Sequence, residues 1–161
     1  MKLDEQQNID WLNTKTGKVC AIKRYLEGGN NLLGEVSVGS EKKALKLYFA
    51  DADDGRDRSG TEFKALSFLE KQGCEATPRA FFYSTHPPRL LMEWLEGEPA
   101  MLNASDADFV FSAEFLVFVA QTSAGEGASD FLMASESCLS DQDILSHIES
   151  RCEKLSEIDA L

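Results

Sequence analysis

Near the amino terminus apolar and polar residues alternate with period two in three stretches, VCAIKRYL (19–26), LGEVSVG (33–39) and KALKLYF (43–49), separated by Gly, Asn and Ser turns. That period sends successive side chains to opposite faces of a strand, so the run reads as a three-stranded antiparallel meander. Before it, Asp4 to Leu12 carries Ile9 and Leu12 near helical spacing and reads as a short helix ended by the turn NTKTGK at 13–18. After it come a polar loop, ADADDGRDR (50–58), and the segment SGTEFKALSFLEKQG (59–73). Ser59 and Glu62 stand there in capping-box spacing and Gly73 follows the last turn, which marks both ends of a helix. Two more strands, RAFFYS (79–84) and RLLMEWL (89–95), flank THPP, whose prolines bar continuation of the ladder.

From EGEPA onward the pattern turns helical. Asp106 to Ser123 reads as one apolar-rich helix and Ser140 to Ile158 as another, with SAGEGASD (123–130) as the loop between them. The second carries Ile144, Leu145, Ile148, Cys152, Leu155 and Ile158 on one stripe, with Ser140 and Asp143 as its cap. The expectation is an α+β chain: a five-stranded antiparallel sheet with one inserted helix over residues 1–97, then the first helices of a helical lobe over 98–161.

Composition narrows the setting. With 161 residues the chain can bury a real core without staples. Its four cysteines (Cys20, Cys74, Cys138, Cys152) form no C-x-x-C pair, and neither histidine lies close to two of them, which argues against zinc or a disulfide framework. The start, MKLDEQQNIDWLN, lacks the apolar run of a signal peptide. The most apolar segment, Phe109 to Ala120, is broken by Ser112 and Glu114 and is shorter than the roughly 20 residues that span a bilayer. Sixteen Lys and Arg against 28 Asp and Glu leave a net charge of −12, whose field repels nucleic acid and anionic membranes. These features predict a soluble, cytoplasmic protein with reduced thiols and neither nucleic acid nor membrane as partner; a local basic pocket for one nucleotide stays compatible.

Four stretches hold candidate chemistry. In KALKLYF, alternation puts Ala44, Lys46 and Tyr48 on one face and Leu45, Leu47 and Phe49 on the other, so Lys46 is either a solvated lysine or one held by a partner. Glu62 lies at the centre of its helix's apolar stripe, flanked by Leu66 and Leu69; it either closes the capping box onto Ser59 or meets a cation, for which Lys46 is the obvious choice. Gly28-Gly29 between the first two strands is a hairpin turn or a loop that lets backbone N–H groups approach a phosphate. RLLMEWLEGEP is a strand-to-helix linker or a hinge whose exposed backbone can pair with an adenine edge.

Together these stretches resemble the amino-terminal lobe of the aminoglycoside phosphotransferase and choline-kinase-like family, small-molecule kinases with the protein-kinase-like fold. LEGGNNLLGEVSV, ALKLY, TEFKALSFLEKQGCEATPRAF and RLLMEWLEGEP stand in family order and close to family spacing, and ASESCLSDQDILSHIESRCEKL resembles the inter-lobe helices. The resemblance implies that Gly28, Gly29 and Asn31 form a nucleotide-covering loop, that Lys46 holds the α- and β-phosphates of ATP, that Glu62 orients Lys46, and that Glu93, Trp94 and Leu95 offer hinge backbone to the adenine. Gly34 departs from the family, which often has an aromatic residue there.

Phosphoryl transfer in this fold also needs a catalytic-loop Asp, an Asn and a metal-binding Asp. Neither THPPR nor SHIES begins an H-x-D motif, and Asp130-Phe131 is not followed by glycine. The expectation is the ATP-binding portion of a small-molecule phosphotransferase, a truncated kinase with no catalytic residue of its own, its Mg2+ ligands outside this chain, and no activity alone. A carboxyl-terminal lobe or self-association would then cover the Ile144/Ile148/Leu155 stripe. The alternative is a non-catalytic kinase-like interaction module, and a third reading is an unrelated α+β domain.

Overall fold

The computed structural model describes residues 4–27, 31–49, 56–97, 104–131 and 140–158. In chain order these form α1 (Glu5–Thr16), β1 (Cys20–Glu27), β2 (Asn31–Val38), β3 (Glu41–Tyr48), α2 (Arg58–Lys71), β4 (Ala80–Thr85), β5 (Pro88–Glu93), α3 (Asp106–Thr122), a short 3-10 turn (Ala128–Asp130) and α4 (Asp141–Ile158). The strands make one antiparallel sheet in the order β1-β2-β3-β5-β4, with α2 inserted between β3 and β4. This is the α+β arrangement that the periodicity predicts.

Local chemistry sets the ends. Helix α1 runs four residues past its expected stop at Leu12, because the hydroxyls of Thr14 and Thr16 bond back to the carbonyls of Asp10 and Leu12 at 2.8 Å each and so satisfy the turn they looked set to break. It ends at Gly17, whose φ of 65° suits glycine and whose N–H reaches the Asn13 carbonyl. Helix α2 closes as expected at Gly73: the N–H of Cys74 bonds Leu69 O and that of Gly73 bonds Glu70 O, the paired bonds of a Schellman motif. Its start differs from the expected Ser59–Glu62 box, since the cap is Asp57, whose carboxylate accepts from Gly60 N at 2.8 Å.

Strand alternation divides the core. One face of the sheet buries Cys20, Val36, Val38, Leu45, Leu47 and Leu91 against Leu12 of α1, with Trp11, Ile22, Tyr25, Leu32 and Phe81 around them. Gly34 belongs to this face: it pairs with Tyr25, and a Cβ there would lie 3.3 Å from the Tyr25 ring, so glycine leaves the room that the aromatic fills. The opposite face buries Tyr48 and Leu90 against Leu66 of α2. Phe49, expected beside Leu45 and Leu47, lies past the end of β3 and is 40% exposed.

By its internal contacts the chain divides into two units, Met1–Val119 and Ala120–Leu161. The first holds the sheet, α1, α2 and most of α3; the second holds the 3-10 turn and α4. Among the described residues α3 has no buried side chain, and in α4 Ile144, Leu145 and Ile148 are exposed. No helix among the described residues is long and apolar enough to cross a membrane.

Candidate functional site

Lys46 projects from the middle of β3, the central strand, where its Cα pairs with Leu33 on one side and Leu90 on the other. Its ammonium donates to both carboxylate oxygens of Glu62, at 2.8 Å to Oε1 and 2.7 Å to Oε2. The Tyr48 hydroxyl donates to the same Oε2 at 2.9 Å, and the Lys46 ammonium lies 5.3 Å from the Tyr48 ring centroid. The Lys46 side chain is 20% exposed and that of Glu62 31%. The pair is therefore neither a surface ion pair, worth up to about 1 kcal/mol, nor a fully buried one, where losing a partner costs about 3–5 kcal/mol.

Glu62 reaches this point because α2 is pinned to the sheet one turn earlier. Ser59, fully buried, has one hydroxyl hydrogen within reach of two acceptors, Ser84 O of β4 at 2.9 Å and Asp57 Oδ1 at 3.1 Å. Gly60 follows directly, and its missing Cβ leaves the space that the capping carboxylate of Asp57 fills. Phe63 then meets Tyr83 with ring centroids 4.7 Å apart, and Leu66 enters the apolar cluster beside Tyr48. With the helix fixed at Ser59, Phe63 and Leu66, the intervening Glu62 falls over Lys46. The carboxylate that looked like half of a capping box is thus committed to β3.

The face around Lys46 is graded from apolar to charged. Leu33, Ala44 and Met92 share it, as cross-strand partners of Lys46 or of one another. Farther along β3, on the same alternation, Lys42 bonds Glu96 at 2.5 Å, lies 4.0 Å from Glu35, and stands over the Trp94 ring at 5.4 Å. Glu35 in turn pairs with Arg24 at 2.7 Å. Lys42 and Lys46 are four residues apart, about 13 Å of strand. Between the two lysines on this face lie Ala44 and its cross-strand neighbours Glu35 and Met92.

Burial, ahead of the adjacent Glu62 charge, pushes the Tyr48 phenol well above its ordinary range, so it stays protonated and donating at any working pH. Lys42 is raised as well, chiefly by its hydrogen bond to Glu96, which is itself lowered by the same contact. Among the described residues no cluster of three or more His, Cys, Asp or Glu side chains forms a metal site.

The structure brings some of the expected residues together and sets others apart. Lys46 and Glu62 meet as above. Asn31, expected in the covering loop, is the first residue of β2, opposite Tyr48; Gly28 and Gly29 lie outside the described residues. Glu93 ends β5, and its N–H is already bonded to Arg79 O at 2.8 Å, so it is not a free hinge donor. Trp94 is half-buried and Leu95 exposed, both beyond the strand. Sequence reading missed Tyr48 as a partner of Glu62, although it had placed Tyr48 on the Lys46 face, and it missed Asp57 and the Lys42 cluster.

No known family model matches the chain, and no curated protein does. Among solved structures it is similar to a protein described provisionally as a fructosamine-3-kinase from Thermobifida fusca, with 18% identity, 56% of this chain and 32% of that chain covered, and a TM-score of 0.47. It is also similar to one so described from Haemophilus somnus, with 17% identity, 71% and 38% of the two chains covered, and a TM-score of 0.48. The chain thus spans well under half the length of either structure.

Proposed function

We propose that this chain binds Mg-ATP on the α2 face of its sheet, as the nucleotide-binding part of a small-molecule phosphotransferase with a kinase-like lobe. The observation that carries the reading is the Lys46–Glu62 pair: a mid-strand lysine, still a fifth exposed, held on both oxygens of a helix carboxylate. Such an ammonium is held in place while part of its surface stays in water, and it can take phosphate oxygens as further acceptors. The chemistry of the face fits the group. Ala44, Leu33 and Met92 offer apolar contact to a purine beside the charge, and the exposed Leu95, two residues past the end of β5, would offer its backbone to the adenine. Gly28 and Gly29 supply backbone N–H groups to the phosphates.

Bound Mg-ATP would supply the γ-phosphoryl group for transfer to a substrate hydroxyl. The catalytic Asp and the Mg2+ ligands come from outside these 161 residues, so the chain alone binds nucleotide without turning it over. The exposed apolar residues of α3 and α4 then serve contact with a carboxyl-terminal lobe or a second copy, and the acidic protein acts in the cytoplasm.

Calorimetric titration with Mg-ATP tests this, run beside Lys46→Ala. Saturable binding that weakens about 10- to 100-fold in the variant is expected, since a hydrogen bond to a charged group is worth about 1.5–3 kcal/mol. Absence of binding at millimolar Mg-ATP, with the fold intact, would overturn the reading and favour the non-catalytic interaction module.

A further inference from the structure

We propose that Tyr48 is a positioning residue: through Glu62, its hydroxyl fixes where the Lys46 ammonium stands and so sets the phosphate affinity of the site. The ligand part of this inference rests on the nucleotide reading above; the positioning part stands on geometry alone.

Glu62 and Lys46 are both long, flexible side chains with part of their surface in water. Two such chains bonded to each other can swing together without breaking their contact, so the ion pair by itself does not define a position. Tyr48 differs from both. Its ring is 5% exposed and wedged with Leu66 and Leu90, which removes its rotational freedom. Its hydroxyl donates to Oε2 of Glu62, the oxygen that also accepts the shorter of the two Lys46 bonds, and so ties the carboxylate to a rigid element of the core. Oε1, by contrast, accepts from Lys46 at 2.8 Å. The stacking of ring, carboxylate and ammonium follows from sequence spacing, because Lys46 and Tyr48 are two apart on one strand and therefore share a face.

Removing only the hydroxyl leaves the ring and its cation contact in place, so Tyr48→Phe separates positioning from packing. The first readout needs no nucleotide: the rate at which an amine-selective acylating reagent modifies Lys46, followed by mass spectrometry of its peptide in the folded protein. Tyr48→Phe is expected to raise that rate about two- to tenfold, a fraction of what a hydrogen bond to a charged group is worth in full, because Lys46 keeps its own two bonds to the carboxylate. In a Glu62→Ala background the same substitution should add nothing, because Tyr48 acts through that carboxylate. An unchanged rate in Tyr48→Phe, or a full additional effect in the Glu62→Ala background, would overturn the proposal.

If Tyr48→Phe does not fold, 3-fluorotyrosine at position 48 keeps shape and hydroxyl while strengthening donation. The Lys46 rate should then fall below that of the unmodified protein, and a rate that stays equal overturns the proposal. Mg-ATP titration separates the two layers. Loss of affinity in Tyr48→Phe together with faster acylation supports both. Faster acylation in a protein that binds no Mg-ATP retires the nucleotide reading while the positioning of Lys46 stands.

Discussion

Leu45 and Lys46 are adjacent in sequence yet belong to different faces of one sheet, and the two faces solve different problems. On the α1 face Leu12, Val36, Leu45 and Leu91 are essentially water-free and form a continuous apolar layer. On the α2 face a smaller cluster of Tyr48, Leu66 and Leu90 supports a charged pair at its margin. Each face also holds a cation, and their partners differ. Arg89 is buried on the α1 side, with Nη1 donating to Asn8 Oδ1 at 2.9 Å and to Gln7 O at 3.3 Å and the guanidinium 4.7 Å from the Trp11 ring. Its bonds go to neutral oxygens of α1, and burial lowers its pKa. Lys46 instead faces a carboxylate and keeps contact with water. One cation latches a helix to the sheet; the other is paired with a carboxylate at the margin of the core, with part of its surface in water. Because alternation separates the faces, stability and chemistry can be altered independently.

Leu45→Ala gives the largest expected effect. It empties a fully buried position on the α1 face, and such truncations cost about 2–5 kcal/mol. Denaturant unfolding followed by Trp fluorescence should show a large drop in midpoint while Lys46, on the other face, keeps its native acylation rate below the transition. A matching change in Lys46 reactivity would mean that the faces are coupled and the comparison is wrong. Asp57→Ala comes next, at about 0.5–2 kcal/mol for a lost helix cap. Unlike Leu45→Ala it acts on the α2 face, freeing the first turn of α2, so Lys46 should become more reactive for a smaller loss of stability.

The division between faces was legible in the sequence, and so was one joint between helix and sheet, whereas the others were not. Alternation in KALKLYF assigns Ala44, Lys46 and Tyr48 to one side and Leu45 and Leu47 to the other, which is what the sheet shows, because period two is a property of the strand itself. The Lys46–Glu62 contact was legible for a related reason: a carboxylate on an apolar helix stripe needs a cation. What failed depends on competition between neighbours or on distance. Asp57 lies in the polar run ADADDGRDR, where several residues could cap, and Ser59 looked the better cap until its hydroxyl proved to be bonded to Ser84. Arg89 and Asn8 are 81 residues apart, and no local pattern announces that they meet. Tyr48 was on the right face, but that its hydroxyl reaches Glu62 depends on how high α2 rides above the sheet.

Helix α3 sharpens the contrast by carrying large apolar residues that stay exposed. Phe109, Val110, Phe111, Leu116 and Val117 are all exposed, Leu116 by 67%. Leu116→Ser should therefore shift the unfolding midpoint by no more than about 0.5 kcal/mol, as a surface substitution does, although it changes the same residue type as Leu45→Ala. A loss of several kcal/mol would show that something covers α3 in solution, and sedimentation of the wild-type chain would then show whether a second copy does.

The smallest effect belongs at the rim of the α1 face. Glu41, the first residue of β3, bonds Lys43 at 2.9 Å and Lys18 at 3.1 Å with its carboxylate largely in water. The Lys43 hydrogen bond, then that of Lys18, lowers its pKa below the ordinary 4.5. A carboxyl whose folded pKa is depressed adds stability above its unfolded pKa, and that contribution disappears as pH falls through the folded value. Glu41→Gln should therefore be slightly less stable than the wild type at pH 7, and the difference should close on acidification below the ordinary carboxylate range. Added salt should narrow the gap at pH 7 as well, since exposed pairs are screened. The Lys46–Glu62 pair, shielded by α2 and braced by Tyr48, should respond less to salt, and Lys46 acylation measured across an ionic-strength series gives that comparison directly. Equal salt sensitivity at the two sites would place Lys46 in water as fully as Glu41, and the two faces would no longer differ in how they hold charge.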